Sequence, residues 1–510
     1  MRRIRRHPPS PWSGVLPAAF ACAVATGVAG IGLLGCAADE PQALALARVA
    51  VHSDPLSLDP HLQNEMLTFA ELSNVYESLT SFDAQLRIEP ALAESWENPD
   101  ERTWRFHLRH GARFHDGRPL RPEDVVFSLQ RARHHPRSNL SSYLVEVAAV
   151  LAAGPATVEL VTTRPFPILL NKLAYIGIVP EGSPEEITQP VGTGPYRFVS
   201  FTPGVELALE RFAQHWRPAT GPRSLRFLKL EQEERVRRLL AGEVELVRGV
   251  PPDLAARVES DAGCRLEGRL GLSVEYLHLR SDRPPFDDLR VRQAIDLALD
   301  REALVVEMLR GHGRPVGQMV SPNVFGYHPG LRPTLRDLAR ARALLAEAGY
   351  AAGLDLTLEL RQGRDAGPIQ AQLAEAGVRV RAVVSPWPEL YRRLAKEEVP
   401  FYYGGVLAPS ADASDLFDSF AHSADAQRGY GANNFIGYRN SDLDRLIERS
   451  GTTVDMLERR ELLQQAMSLL MRDLVMLPLF VDKDLDAVRH DLVWEPRLDG
   501  LILGRSIRRR

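Results

Sequence analysis

Residues 104–132, with the sequence WRFHLRHGARFHDGRPLRPEDVVFSLQRA, contain the signals of a strand, a turn and a helix in succession. Large apolar residues alternate with basic ones from Trp104 to Leu108, which predicts a half-buried strand. Asp116-Gly117 is a turn pair, because glycine adopts a positive φ without strain and the aspartate side chain bonds nearby backbone. Pro122 suits the first position of a helix. We therefore expect this segment to build the fold and to carry no catalytic chemistry.

The predicted helix start at Pro122 lacks a conventional capping side chain. Arg121 cannot accept a hydrogen bond from the first amides of the helix, so Pro122 and Asp124 are expected to define its start. Glu123 and Asp124 place negative charge at the positive end of the helix dipole. Neighbouring acidic residues on a helix point in different directions, so these two do not form a catalytic carboxylate pair.

Five of the 14 histidines lie between His107 and His135, a density that suggests a metal site. Their spacing follows no zinc-binding motif, and the nearby arginines would repel a divalent cation. The sequence also contains no GxSxG elbow and no GxxxxGK[ST] phosphate-binding loop. We therefore assign no catalytic residue, no metal ligand and no cofactor. The Gly-rich segment GTGPY (192–196) is expected to form a tight structural loop.

The first 36 residues have the features of a bacterial secretory signal. Four arginines precede an uncharged apolar stretch, residues 15–34, and this pattern is typical of a signal peptide. Its end, LLGC (33–36), resembles the lipobox, in which Cys36 is lipidated and becomes the new N-terminus. An uncleaved membrane anchor is the alternative, since about 20 apolar residues span a bilayer. After cleavage and lipidation of Cys36, only Cys264 keeps a free thiol, so an internal disulfide is excluded.

Length and composition indicate a folded protein with more than one domain. A chain of 510 residues exceeds one typical core, and 45% hydrophobic with 25% charged residues argues against global disorder and against a polytopic membrane protein. Cleavage of the signal removes four positive charges and changes the net charge from −4 to −8. A mildly acidic body argues against nucleic acid as a partner.

Hydrophobic patterns mix helices and strands along the chain, which predicts an α/β protein. Residues 68–82 (TFAELSNVYESLTSF) place apolar side chains at helical spacing, and residues 287–311 form the strongest helical region. Residues 191–212 predict a Gly/Pro loop followed by a hairpin.

Taken in order, several segments resemble the extracytoplasmic solute-binding proteins of peptide-type ABC transporters, the family that contains oligopeptide-, dipeptide- and nickel-binding proteins. The matches span almost the whole mature chain, and their ordered set is specific. They are DPLSLDPH (54–61), EPALAESWE (89–97), the segment 104–132, VGTGPYRF (191–198), PPFDDLRVRQAIDLALDRE (284–302), ALLAEAGY (343–350), NNFIGYRNSDLDRLI (433–447) and MLPLF (476–480).

The resemblance implies an α/β, two-lobed periplasmic-binding-protein fold with an inserted subdomain and mixed sheets flanked by helices. After the signal, residues 1–36, it divides the chain into lobe I (37–88, 188–275 and 477–510), an inserted subdomain of lobe I (89–187) and lobe II (276–476). Two chain crossings would form the hinge. Such a receptor, expected as a monomer, closes around a small solute and delivers it to a membrane permease whose ATPase subunits are separate chains.

The resemblance also implies ligand-contacting positions, for each of which ordinary packing is the alternative. They are Asn64, Glu65 and Met66 after the LDP motif, the aromatic residues Tyr143, Trp387 and Phe480, and Val406 and Asp412 of the second lobe.

One stretch departs from the peptide binders, which resemble G-W-x-x-D-x-x-D-P in the second lobe, with the first Asp holding the α-ammonium group of the peptide. Here the stretch is GVLAPSADA (405–413), in which Val406 replaces the Trp and Pro409 replaces that Asp. Asp412 keeps the second acidic position. Since a buried ammonium group without a carboxylate is unfavourable, we predict that free peptide N-termini are not held in the usual way.

The solute itself is not identified by the sequence, because peptides, sugars, opines and metal chelates all occur in this family. Arg361 and Arg364 either face an anionic group of the solute or are solvated surface residues. The expected location of the protein is extracytoplasmic, and lipidated Cys36 is expected to anchor it to the membrane. A surface lipoprotein that reuses the fold for sensing or for binding another protein is the alternative function.

Overall fold

The computed structural model describes residues 44–218 and 220–510. The expected signal peptide and the lipidation of Cys36 lie outside these described residues. Within them, no helix is long and apolar enough to cross a membrane. Cys264 is buried and has a free thiol in this part of the chain.

Strands and helices alternate irregularly along the chain. The strands are β1 (Leu46–Val51), β2 (Thr80–Phe82), β3 (Ile88–Pro90), β4 (Ala93–Asp100), β5 (Thr103–Leu108), β6 (Val147–Gly154), β7 (Thr157–Thr162), β8 (Tyr196–Thr202), β9 (Glu206–Arg211), β10 (Ser224–Lys229), β11 (Leu246–Val247), β12 (Cys264–Leu270), β13 (Ser273–Leu279), β14 (Gly313–Pro315), β15 (Leu354–Arg361), β16 (Val378–Ser385), β17 (Phe401–Leu407), β18 (Met476–Arg489), β19 (Leu492–Val493) and β20 (Arg508–Arg509). The helices are α1 (Met66–Leu72), α2 (Pro122–His134), α3 (Leu169–Leu173), α4 (Gln232–Leu240), α5 (Pro252–Glu259), α6 (Leu289–Ala298), α7 (Arg301–Leu309), α8 (Leu338–Glu347), α9 (Gly367–Glu375), α10 (Trp387–Ala395), α11 (Ser414–Leu416), α12 (Ser441–Ser450) and α13 (Met456–Asp473). Short helical turns cover Ser141–Leu144, Phe417–Ala421 and Gly504–Ser506.

One large mixed sheet extends through both lobes, in the strand order β16-β15-β17-β13-β18-β11-β1-β10-β9-β8. In lobe I, β1 lies parallel to β10 and β11. In lobe II, β15 lies parallel to β16 and β17. Each lobe therefore has its own arrangement of parallel and antiparallel strands, and its own buried apolar core.

The long strand β18 belongs to both lobes. Its first half pairs with β13 and β14, and its second half pairs with β11 and β12. The other crossing is Gly271-Leu272, between β12 and β13. The two crossings lie side by side, since the Gly271 amide donates to the Asp482 carbonyl at 2.9 Å. We propose lobe boundaries at Gly271-Leu272 and Asp482-Lys483, a few residues from the expected ones.

The segment 104–132 forms much of a small subdomain, in which α2 lies against the four-stranded sheet β4-β5-β7-β6. Gly117 in the turn adopts a φ of +91°. The helix begins at Pro122, and the two carboxylate oxygens of Asp124 accept the backbone amides of Arg121 at 2.9 Å and Glu181 at 2.8 Å. The predicted strand, turn and helix start are confirmed.

The helix predicted over residues 68–82 is wrong after Leu72, where α1 ends, and residues 80–82 form β2 instead. The side chain of Asn74 donates to the Ile502 carbonyl at 2.9 Å and accepts the Gly504 amide at 2.8 Å, and it thereby ties the chain to the C-terminal segment. Hydrogen bonds between an asparagine side chain and the backbone compete with the backbone hydrogen bonds of a helix, so they oppose its continuation here.

The GTGPY loop packs directly against the chain after α1. The Gly194 amide donates to the Val75 carbonyl at 2.9 Å, and a Cβ atom at Gly194 would lie 2.6 Å from the carbonyl oxygen of Asn74. The corresponding Cβ at Gly192 would lie 2.0 Å from the carbonyl oxygen of Val75. The predicted structural role is confirmed, and its physical basis is backbone-to-backbone contact that excludes any side chain.

The helical region predicted over residues 287–311 is confirmed but divided into α6 and α7. Asp300 caps α7 by accepting the Ala303 amide at 3.0 Å, and its own amide donates to Gln372 at 2.7 Å. A strong N-cap residue inside an apolar periodic pattern therefore starts a second helix.

Candidate functional site

The two lobes meet in one continuous apolar cluster, here called the interlobe seam. Lobe I and its subdomain contribute a group of aromatic side chains, and lobe II contributes both aliphatic and aromatic ones. Its members include Met66, Phe69, Phe82, Tyr143 and Tyr175 on the lobe I side, and Val274, Tyr276, Val406, Ala408 and Ala411 on the lobe II side.

Tyr175 is the centre of the aromatic side of the interlobe seam. Its ring centroid lies 4.8 Å from that of Phe69 and 5.8 Å from that of Phe82. The ring of Tyr143 meets it edge-on at 5.8 Å. Tilted and edge-on contacts at these distances are favourable between aromatic rings, so this wall is rigid and largely apolar.

The loop that follows β17 makes polar contacts with lobe I. The Tyr175 hydroxyl donates to the Pro409 carbonyl, and the Asn171 amide group donates to the Ser410 carbonyl at 2.9 Å. Beside them, the Lys172 Nζ atom lies 2.7 Å from Asp415 Oδ1. Three residues on or near α3 thus bind a short segment of lobe II, and the structure shows the lobes in contact.

Asp412 does not face the interlobe seam with a free carboxylate. Arg459 donates to its two oxygens at 2.6 and 2.8 Å, and both side chains are buried. Burial alone would raise the pKa of Asp412, but the charge and hydrogen bonds of Arg459 hold it below its ordinary value. The pair therefore anchors the loop from inside lobe II.

Asp418 lies in the helical turn after Asp415. Among the described residues no donor binds its carboxylate, and burial raises its pKa to about 7. Of the nearby charges, Lys172 lowers this pKa and Asp415 raises it. The lobe II side of the contact is therefore an acidic site in which Lys172 is the lobe I cation.

A cavity inside lobe I adjoins the interlobe seam. Tyr175, Phe69 and Phe82 line it on the side of the seam, and Trp216 lines it further inside. The Trp216 indole donates to Glu77 at 3.0 Å. Apolar walls with a few fixed polar groups are typical of small-molecule sites.

Near the hinge, Arg364 forms a double hydrogen bond with Glu275, at 2.9 Å for the Nη2–Oε1 pair. Its guanidinium also lies 4.9 Å from the ring centroid of Tyr403. The charge of Arg364 is thus paired within the protein, whereas the side chain of Arg361 is exposed. On the neighbouring crossing strand, burial raises the pKa of Asp482 to about 6.

The predicted ligand-contacting residues do not all lie together. Met66, Tyr143 and Val406 belong to the interlobe seam. Asn64 is exposed, and the Glu65 carboxylate caps α1 by accepting the Leu67 and Thr68 amides at 2.8 and 2.7 Å.

The two remaining aromatic positions lie in lobe II. Phe480 is buried in the lobe II core. Trp387 is 45% exposed at the start of α10, with its ring centroid 5.5 Å from that of Tyr391. For these two residues the structure thus shows packing within one lobe.

Lys172, Tyr175, Asp415 and Asp418 were not predicted from the sequence. Two signals were present in the sequence. Lys172 is one of only four lysines, and Asp412, Asp415 and Asp418 recur at intervals of three directly after β17. Neither signal identifies its partner, because α3 and this loop are more than 200 residues apart in the chain.

Two lobes that share a sheet and meet at a contact with aromatic side chains are the architecture expected of a solute-binding protein. The model of the family "Bacterial extracellular solute-binding proteins, family 5 Middle" matches residues 87–428. The chain belongs to this family, and the resemblance found in its sequence is confirmed.

Relatives cover most of the chain. The heme-binding protein A of Haemophilus influenzae is 30% identical over 457 residues, which cover 81% of this chain and 82% of that protein. The dipeptide-binding protein of Escherichia coli is 26% identical over 455 residues, with 81% and 84% coverage. The structure of HbpA2 from Haemophilus parasuis matches with a TM-score of 0.81 at 24% identity, over 91% of this chain and 100% of that one, and this likeness confirms the two-lobed fold.

Proposed function

We propose that this chain is a lipid-anchored extracytoplasmic receptor that captures a small solute between its two lobes and delivers it to an ABC importer. The observation that carries the proposal is the interlobe seam, where aromatic side chains of lobe I face an apolar wall of lobe II beside a two-strand hinge. The names of the relatives, a heme-binding and a dipeptide-binding protein, support a small organic solute.

The proposed solute site consists of the interlobe seam and the adjoining cavity in lobe I. Tyr175 lines both, so a solute held there would touch the residue that also binds the Pro409 carbonyl. A ligand that contacts both lobes binds the closed form better than the open one and shifts the population towards closure.

We further propose that free peptide N-termini are not held as in the peptide-binding members. Pro409 stands at the position of their aspartate and offers only a carbonyl, which already accepts the Tyr175 hydroxyl. Both oxygens of Asp412 are bound by Arg459. Calorimetry with di- to pentapeptides tests this, and tight binding that is lost on N-acetylation would contradict it.

Native mass spectrometry of the purified mature protein tests the receptor function. We expect a co-purified small molecule bound at a ratio of one per chain, released by partial unfolding. Substitution of the lining residue Phe69→Ala should remove the molecule, and Leu56→Ala, at an exposed position outside the seam, should retain it. Protein that carries no small molecule and captures none from an extract of the native medium would favour the alternative of a surface lipoprotein that binds another protein.

The lipid anchor has a separate test. Cys36→Ser should abolish both labelling by a radioactive fatty acid and processing of the signal, because the thiol is the acceptor and is required for cleavage. Unchanged membrane retention with an uncleaved signal would support the membrane-anchor alternative.

A further inference from the structure

The acidic site on the lobe II side of the interlobe contact already contains a cation of the protein itself. The Lys172 ammonium group lies 2.7 Å from Asp415 Oδ1 and 4.8 Å from the ring centroid of Tyr143. An ammonium group held by a carboxylate on one side and an aromatic face on the other is the arrangement that proteins use to bind cationic ligands.

Both partners of this contact are withdrawn from solvent. The side chain of Lys172 is 15% exposed and that of Asp415 is 9% exposed. The other oxygen of Asp415 accepts the Ser410 amide at 2.7 Å and the Ser410 hydroxyl at 2.6 Å, which fixes the carboxylate in place. Although burial would lower the pKa of Lys172, the charge of Asp415 holds it above its ordinary value, so the side chain stays protonated.

We propose that Lys172 is a specificity-determining residue, a built-in cation that occupies the acidic site formed by Asp415, Asp418 and the Tyr143 ring and thereby excludes solutes that would place an ammonium group there. The biological meaning of this role rests on the proposed receptor function. The binding chemistry is independent of it, because the site would accept a free alkylammonium ion once the lysine is removed.

The test is chemical rescue in Lys172→Ala, with n-butylammonium as the probe because it reproduces the four-carbon stem and charge of the missing side chain. We expect Lys172→Ala to bind n-butylammonium at least tenfold more tightly than the unaltered protein does, as measured by calorimetry and by the rise of Tm with probe concentration. The neutral n-butanol, of equal length, should bind neither protein detectably.

Two variants control for unspecific effects. Lys396→Ala removes an exposed lysine and should gain no affinity for the probe. Asp415→Asn added to Lys172→Ala should abolish the gain, since the carboxylate partner is lost. Equal affinity of Lys172→Ala and Lys396→Ala for n-butylammonium, with both proteins folded by circular dichroism, would overturn the proposal.

Selective acetylation provides a second measurement on the unaltered protein, in case Lys172→Ala does not fold. Peptide mass spectrometry should show Lys172 acetylated at least tenfold more slowly than Lys396, and Asp415→Asn should increase the rate at Lys172. Equal rates at both lysines in the unaltered protein would contradict the assignment. A successful rescue in a protein that carries no small molecule and captures none from an extract would count against the receptor function alone, because Lys172 would still be the cation of the acidic site.

Discussion

Arg459 is the cation on which the buried carboxylate of Asp412 depends. It donates to both carboxylate oxygens and its Nε atom donates to the Ser450 carbonyl at 3.0 Å. Asp412, at the second acidic position of the family motif, is therefore paired inside lobe II, where it holds the loop that contacts lobe I.

Arg459→Met should lower the free energy of unfolding by about 3–5 kcal/mol, because it leaves a buried carboxylate without its partner. Urea unfolding at neutral pH measures the change. Arg449→Met is the control, since the Arg449 side chain is 64% exposed and its ion pair with Glu458 lies at the surface. We expect a loss of less than about 1 kcal/mol for the control. Equal losses in the two variants would show that the buried pair is not the anchor.

Asp418 makes stability depend on pH in a defined direction. Its folded pKa of about 7 is above the ordinary 3.8, so its contribution is fully present below pH 3.8 and is lost as pH rises through about 7. Asp418→Asn keeps the shape of the protonated side chain but cannot ionise. It should therefore be more stable than the unaltered protein at pH 8, by at least about 1 kcal/mol. The difference should vanish near pH 4.

Denaturant unfolding at pH 4, 6 and 8 provides the measurement for Asp418→Asn. Asp442→Asn is its control, since the Asp442 side chain is 70% exposed, and its difference from the unaltered protein should not follow this pH profile. A stability difference at Asp418 that is constant from pH 4 to 8 would contradict the raised pKa of this carboxyl.

At the scale of elements, the strand-turn-helix segment 104–132 and the GTGPY loop differ in what determines their structure. The segment carries its own periodicity, turn pair and helix start, so its structure follows from its residues alone. The GTGPY loop depends on a distant partner, because the chain after α1 lies against it and leaves no space for a side chain.

Gly194→Ala should destabilise the protein by about 1–3 kcal/mol, because the new methyl group would meet the backbone of Asn74 and Val75. Gly154→Ala is the matched control, as the nearest atoms to its added Cβ lie at 3.7 Å. Thermal unfolding followed by calorimetry distinguishes the two. A Tm for Gly194→Ala equal to that of the control would mean that the loop can move away from the chain after α1.

At the scale of the whole molecule, the contact between the lobes combines polar bonds with an apolar seam. Tyr175 contributes both kinds of contact, through its ring and through the hydroxyl that donates to Pro409. Since two neighbouring crossings join the lobes within residues 44–218 and 220–510, small changes in contact energy are expected to alter the fraction of molecules in which the lobes touch.

Tyr175→Phe should shift the open–closed equilibrium about fivefold towards the open form, in line with a net hydrogen-bond contribution of about 1 kcal/mol. Spin labels on Glu259→Cys in lobe I and Ala351→Cys in lobe II, both exposed positions, report the distance between the lobes. Tyr350→Phe, in the lobe II core cluster, is the control and should leave the distance distribution unchanged. Identical distributions for Tyr175→Phe and the control would contradict a role of this hydroxyl in closure.

The sequence alone determined the fold class, the structural role of the segment 104–132 and the membership of a solute-binding family, because these depend on local periodicity, turn residues and motifs in a fixed order. It also indicated Met66, Tyr143 and Val406, which lie in the interlobe seam. Only the tertiary structure decided that α1 ends at Leu72 and that Asp412 is neutralised by Arg459. It alone brought Lys172 of lobe I to Asp415 of lobe II, because such pairs join residues far apart in the chain and leave no mark in the local pattern of either segment.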